Sequence, residues 1–242
     1  MAVQFTVNGD SLISPHNGAQ FYRTATQPQS ISVWISAPFD GNTGTKSYVG
    51  MYGSANVPGG AGSAIQFGSR VAIGQCDIWT WGGGLLVSTT GITIPANTWV
   101  NLVYTYDGTT HRIYYNGTLN NSSTAAQLTG NFDKVWLNGY KDGGANETAT
   151  FQLDTYDYYN RALSLSEIQT IYNTRGNCHG IVFGSILRYE FDEGGIGTNV
   201  ASVVNQTDYP SNLSNLSLEN IRSAKVTYSP GFVSKNLRAP QI

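Results

Sequence analysis

Charge is scarce in this chain. Only 12% of its 242 residues are Asp, Glu, Lys or Arg, about half the share in an ordinary globular protein. The 13 basic residues are scattered and offset by 15 acidic ones. Phosphate backbones and anionic membranes are bound through clustered Lys and Arg, so neither nucleic acid nor a membrane surface is an expected partner. No apolar run approaches the ~18 residues of a membrane span, and membrane insertion is not expected. The start, Met1 to Asp10, lacks both a basic stretch and a long apolar core. It does not read as a signal peptide, and synthesis in a cytoplasm is expected. Cysteine is limited to Cys76 and Cys178, far apart in the chain. Two reduced core thiols are expected, with a single long-range bridge as the alternative.

With so few charges, the polar surface must come from Ser, Thr, Asn, Gln and the 28 glycines. That composition suits strands that meet water through hydroxyls and amides, joined by Gly- and Asn-rich turns. Alternation dominates accordingly. Ser30 to Ser36 places Ile31, Val33 and Ile35 on one face, and serines plus Trp34 on the other. Trp99 to Tyr106 is β-branched and aromatic and stops at Asp107-Gly108. His111 to Tyr115 follows and is closed by Asn116-Gly117, a strong two-residue hairpin signal. A first strand is read at 3–7, and further strands at 64–67, 77–81, 84–88, 134–138, 149–158 and from 184 onward. One stretch departs from the two-residue period. Leu165, Ile168, Ile171 and Tyr172 recur at helical spacing, Ser164 with Glu167 forms a capping box, and Gly176 stands where a helix stop is expected. The prediction is an all-β, two-sheet antiparallel sandwich with one short helix near 164–173.

The order of these landmarks resembles the laminin-G-like branch of the concanavalin A-like lectin/glucanase superfamily, as found in phage virion proteins. Ser30–Ser36 is similar to its "isxW" strand, Trp99–Gly108 to its "WhhlvxtYDG" block, and Arg112–Gly117 to "lrlYvNG". Most specific is the run from Leu153 to Ile168, with Asp154, Asn160-Arg161-Ala162-Leu163 and Glu167, which resembles the "iDevriynrALsxeEI" strand-to-helix signature. The match spans roughly residues 2–175. It implies a jelly-roll sandwich over 1–180, leaving 181–242 as a C-terminal extension of extra strands or an anchoring arm. Asp154, at the signature Asp, is read as a structural residue at a strand end.

Fold alone does not assign chemistry. Hydrolases of this fold need paired carboxylates on one strand face, with acid and nucleophile about 5–5.5 Å apart when retaining. Glu190-Phe191-Asp192-Glu193 is the nearest candidate, but Gly194 and Gly195 stand where a further acid is required. His16, His111 and His179 lie in unrelated segments, and no Gly-x-Ser-x-Gly elbow exists. No catalytic residue is assigned, and the protein is expected not to be an enzyme. For binding, the densest aromatic spot is Asp77–Gly84, where Trp79 and Trp81 share a strand face and form a candidate glycan platform, the alternative being core or interface packing. Asp142 and Asn146, in a loop of oxygen donors, are candidate Ca²⁺ ligands, as are the turns at Asp40-Gly41-Asn42 and Asp107-Gly108. Against calcium stands the ordinary use of Asp and Asn in turns.

Two binding roles follow. The leading expectation is a non-enzymatic structural subunit of a phage virion, a capsid decoration or tail-associated protein. Its partners would be other virion proteins or copies of itself in a homo-oligomer. The alternative is a lectin-like module that binds cell-surface glycans for adhesion. A glycoside hydrolase is the third and weakest reading.

Overall fold

The computed structural model describes residues 3–5, 12–15, 27–39, 46–52, 64–70, 72–80, 84–125, 134–138, 149–175, 185–189, 199–200 and 216–217. In chain order the strands are β1 (Val3–Phe5), β2 (Leu12–Pro15), β3 (Gln29–Ala37), β4 (Lys46–Tyr52) and β5 (Ala64–Ser69). Next come β6 (Asp77–Thr80), β7 (Gly84–Ser88), β8 (Thr98–Tyr106), β9 (His111–Tyr115), β10 (Thr118–Ser123), β11 (Lys134–Leu137) and β12 (Phe151–Tyr159). Helix α1 (Leu165–Asn173) follows, then β13 (Ser185–Tyr189), β14 (Asn199–Val200) and β15 (Leu216–Ser217).

These strands form two antiparallel sheets. The first runs β1-β12-β3-β8-β9-β10, with β13 paired to the second half of β12. The second runs β14-β15-β2-β11-β4-β5-β6-β7. The expected sandwich is therefore present, and the described strands beyond residue 180 pair into both of its sheets. The strands at 12–15, 46–52 and 118–123 were not singled out by alternation. The first of them is only four residues long, and Gly50 interrupts the apolar pattern of the second.

The core lies between the sheets, where alternation puts it. Ile31, Val33, Ile35, Val100, Leu102 and Tyr104 from the first sheet meet Val49, Met51, Ile65, Phe67 and Ile78 from the second, all buried. Tyrosine is abundant because it fills this interior. Tyr48, Tyr104, Tyr106 and Tyr158 are fully covered in it. Their hydroxyls are satisfied locally: Tyr158 donates to Gln29 Oε1 at 3.1 Å, Tyr106 to the Gly108 carbonyl at 2.7 Å, and Tyr48 accepts from Phe39 N–H at 3.1 Å. Cys76 is a free, buried thiol whose ionisation is pushed well up, chiefly by burial. Cys178 lies outside the described residues.

The outer face of the first sheet is not the wet surface that its serines suggest. Every residue of β3 is buried. The cover is α1 and the turn leading into it: Leu163, Ile168 and Ile171 pack on Val103, Tyr114 and Tyr159. Burying each isoleucine contributes about 2 kcal/mol. Ser30 anchors the turn by donating from Oγ to the Arg161 carbonyl (2.9 Å) and accepting from Leu163 N–H (3.0 Å). Ser164 caps the helix in a capping box with Glu167, and Arg161 clamps the Glu167 carboxylate through both guanidinium nitrogens at 3.0 and 2.7 Å. Past the helix, Arg175 holds a left-handed φ of 52; Gly176, where a stop was expected, lies outside the described residues. Asp154 departs from its expected place. It is the extra residue of a β-bulge in the middle of β12, between Leu153 and Thr155, and is 7% exposed.

Candidate functional site

Two strands, a hairpin turn and the end of the helix enclose a cleft of about 380 Å³ on the outer face of the first sheet. Its lining is Trp34 from β3, Trp99 from β8, Asn116 from the β9–β10 turn, Tyr172 and Asn173 from α1, and Arg175 just past it. Each comes from a local rule. Core residues Val33, Ile35 and Val100 face inward, so the neighbouring Trp34 and Trp99 face outward, on adjacent strands where Trp34 pairs with Asn101 and Trp99 with Ser36. Asn116 (φ 48) and Gly117 (φ 76) both hold positive φ, as a type I′ two-residue hairpin demands.

The aromatic wall is closely stacked. Trp34 is only 5% exposed and stacks on Tyr172 at 5.8 Å between ring centroids, with 9° between planes. Trp99 stays half-buried at the mouth. Asn116 accepts the Asn101 N–H on Oδ1 at 2.9 Å, while its own N–H donates to the Asn101 carbonyl at 2.9 Å. Because a backbone N–H can only be met by the amide oxygen, the Asn116 side chain is fixed with Nδ2 as its remaining donor. Asn101 in turn donates from Nδ2 to the Val33 carbonyl at 3.1 Å, tying the turn to β3.

Of the glycan platform expected from the sequence, Trp79 alone is among the described residues. Trp79 sits on β6, on the outer face of the other sheet, and is 4% exposed. The Arg70 guanidinium lies over its ring at 5.9 Å, and its far edge lies so close to Gly68 that a Cβ there would approach it to 2.6 Å. A ring so covered offers no face for a sugar. Its strand neighbour Asp77 is also buried, accepting from Arg70 N–H (2.7 Å) and Ser88 Oγ (2.5 Å). Trp81, Asp142, Asn146, the Asp40 turn, His16, His179 and the acids from Glu190 to Glu193 all lie outside the described residues.

Among the described residues, no group of three or more His, Cys, Asp or Glu side chains could hold a metal ion. The Asp107-Gly108 turn shows why such a motif need not bind calcium. Asp107 Oδ1 accepts from Thr109 N–H, Thr109 Oγ1 and Thr110 N–H at 2.9, 2.8 and 2.8 Å, and Oδ2 pairs with Arg112. Burial works against its ionisation, and these bonds together outweigh it and hold the carboxyl well below the usual range. His111 is buried as a neutral ring. Its pKa is lowered to about 4, first by burial, with the Ala125 backbone and the Asp107 charge pulling the other way. It stacks on Tyr106 at 4.4 Å and meets the Tyr104 hydroxyl at 2.8 Å from Nδ1. Both groups belong to the frame, away from the cleft.

Comparison with known proteins agrees with this architecture. A Bacteroides ovatus protein provisionally named for carbohydrate binding superposes with a TM-score of 0.58 at 11% identity, covering 92% of this chain and 60% of that one. The binding domain of botulinum neurotoxin serotype D gives 0.55 at 16% identity, covering 72% and 42%. The binding domain of Paraclostridial mosquitocidal protein 1 gives 0.50 at 18% identity, covering 73% and 43%. The chain thus spans less than half the length of the toxin domains it matches. No curated protein matches it at a significant level. The profile of the concanavalin A-like lectin/glucanases superfamily, in its laminin G form, matches residues 8–169, and the chain belongs to that family.

Proposed function

We propose that this protein is a non-catalytic carbohydrate-binding module and that the cleft between Trp99, Asn116 and Arg175 receives the saccharide. The observation that carries the proposal is the lining itself. A half-buried indole beside a fixed amide, with an arginine in the same lining, combines a flat apolar face with hydrogen-bonding groups that orient a ligand. Sugars present the same combination of C–H faces and polar edges. The name given to the Bacteroides ovatus protein, and the two toxin binding domains, are in keeping with a binding role.

A hydrolytic reading lacks its reagents here. Asp77, Asp107, Asp154, Asp157 and Glu167 are the described acids, and none of them lines the cleft. Asp107, Asp157 and Glu167 are each engaged by an arginine. The module reading also stands ahead of the virion-subunit expectation, because a lined cleft is a feature a binder needs and a decoration subunit does not. The two remain compatible, since a module carried on a particle would use the same cleft.

A glycan array probed with the purified chain tests the proposal. Retention of a defined saccharide class, reduced about tenfold or more by Trp99→Ala, is the expected result, an anchoring aromatic being worth more than 1 kcal/mol. An empty array, or binding indifferent to Trp99→Ala, would sink it.

A further inference from the structure

The polar groups of the cleft differ in what they have left to offer a ligand. Arg175 already has an interaction of its own within the protein, so its charge is not counted towards a ligand. The two carboxamides of the lining come from separate elements, Asn116 from the β9–β10 turn and Asn173 from the end of α1. Asn116 Oδ1 is committed to Asn101 N–H at 2.9 Å, which leaves Nδ2 with its protons to donate. Asn173 is exposed, and its side chain makes no bond among the described residues, so it keeps both its donor and its acceptor.

Donors are therefore in excess. Both amides supply N–H groups, whereas the one carboxamide oxygen still open is Asn173 Oδ1, and no described carboxylate lines the cleft. The matching ligand group brings a strong acceptor and a single proton, held on different atoms. A secondary amide does so, with lone pairs on its oxygen and one proton on its nitrogen. A sugar hydroxyl puts both roles on one atom and spans two separate elements less readily. The end of α1 bears on charge. A helix C-terminus carries about half an elementary negative charge, which opposes an anion beside Asn173 and favours a ligand N–H. Tyr172, half-buried and stacked on Trp34 at 5.8 Å, adds apolar surface to the same lining, suited to a methyl group.

We infer that the cleft is selective for acetamido sugars, with the amide of the sugar held between Asn116 Nδ2 and the Asn173 carboxamide. This inference rests on the carbohydrate-binding reading and goes on to name the ligand class. The amide carbonyl accepts from Asn116 Nδ2, its N–H donates to Asn173 Oδ1, and its methyl lies by Tyr172.

The experiment applies the full chain to a glycan array holding matched pairs that differ only in acetamido or hydroxyl on the ring. Chitotetraose against cellotetraose and N-acetylgalactosamine against galactose are such pairs. A preference of at least about tenfold for the acetamido member of one pair or more is expected, the worth of two neutral hydrogen bonds. Asn116→Asp keeps an oxygen for Asn101 N–H but loses the Nδ2 donor, and Asn173→Ala removes the second amide at an exposed position. Each should reduce the preference, and together they should abolish it. Equal binding within every pair, retention confined to glycans that lack an amide, or a preference untouched by Asn173→Ala overturns the acetamido inference and leaves sugar binding intact. A chain that retains no glycan at all removes both.

Discussion

Tyr172 stacks on Trp34 at 5.8 Å, while the backbone of Gly117 lies against Tyr172 on the hairpin side. A Cβ at Gly117 would fall 3.1 Å from both Cβ and Cδ1 of Tyr172, and the residue holds φ 76. Helix and hairpin approach this closely only because no side chain intervenes. Gly117→Ala therefore combines left-handed strain with a displaced ring. It should cost about 2 kcal/mol in urea unfolding and weaken saccharide binding together with stability. A substitution with no effect on either would show that the helix end is not seated as described.

Acid should destabilise the fold in two separate windows. His111 is held neutral, its pKa lowered from 6.5 to about 4, so between those values only the unfolded chain takes up the proton. Stability is complete above pH 6.5 and falls as pH drops towards 4, by about 2–3 kcal/mol over the whole window. Glu167 is lowered from 4.5 to about 2, first by the Arg161 side chain and then by the Ser164 bonds, burial opposing. Its contribution is present above pH 4.5 and is lost as pH falls towards 2. Because the pair is partly exposed, about 1 kcal/mol is expected. Denaturant titrations from pH 8 to 2 should show the upper slope vanish in His111→Phe and the lower one shrink in Glu167→Gln, the part that remains belonging to Asp107, whose carboxyl is also held low.

What the sequence disclosed followed distance along the chain. The Asn116-Gly117 turn, the Asp107-Gly108 stop and the Ser164–Glu167 capping box each close within a few residues, so local chemistry specifies them. The cleft does not close that way: its lining joins β3 to the end of α1, well over a hundred residues later. A signal did exist in Trp34, an indole on the face of β3 otherwise given to serines. Such a residue needs a cover, and α1 supplies it. Aromatic density at 77–84 says nothing of which face is already occupied. Trp79 is closed off by Gly68 and Arg70, two residues that alternation treats as unremarkable. Asp154 was misplaced for a related reason, since a bulge is set by the partner strand and leaves no mark in a two-residue period.

A buried ion pair ties β13 to the sandwich. Arg188 Nη1 donates to both oxygens of Asp157 at 2.8 Å, with the side chains 5% and 0% exposed. Removing one partner strands a charge in a dry setting, so Arg188→Met should cost about 3 kcal/mol or more. Replacing both, Asp157→Leu with Arg188→Met, should recover at least half of that loss, because packing substitutes for a pair that was costly to desolvate. Equilibrium unfolding of the three variants decides it. A mild single mutant would mean that residues 185–189 contribute little to the domain.

The two sheets are also joined along one side by side chains in place of a ladder. At the bulge between Leu119 and Asn121, Asn120 turns to the segment after β7. It accepts from Thr90 N–H on Oδ1 at 2.7 Å and donates from Nδ2 to the Thr90 carbonyl at 3.0 Å, an amide in the place of a paired backbone. Asn121 adds a bond from Nδ2 to the Ser88 carbonyl at 2.8 Å. Both edges are thereby committed to each other, which protects strands that would otherwise offer open pairing groups. Asn120→Asp keeps the acceptor but sets a carboxylate against the Thr90 carbonyl. It should cost about 1–2 kcal/mol and, unlike Asn120→Ala, should regain stability as the pH falls through the carboxylate range, because protonation restores a donor. Amide exchange at Thr90 reports the joint directly: faster exchange in Asn120→Asp at neutral pH, slowing towards wild type in acid, is the expected pattern. A rate that does not respond to the substitution would place the closure of the sandwich elsewhere.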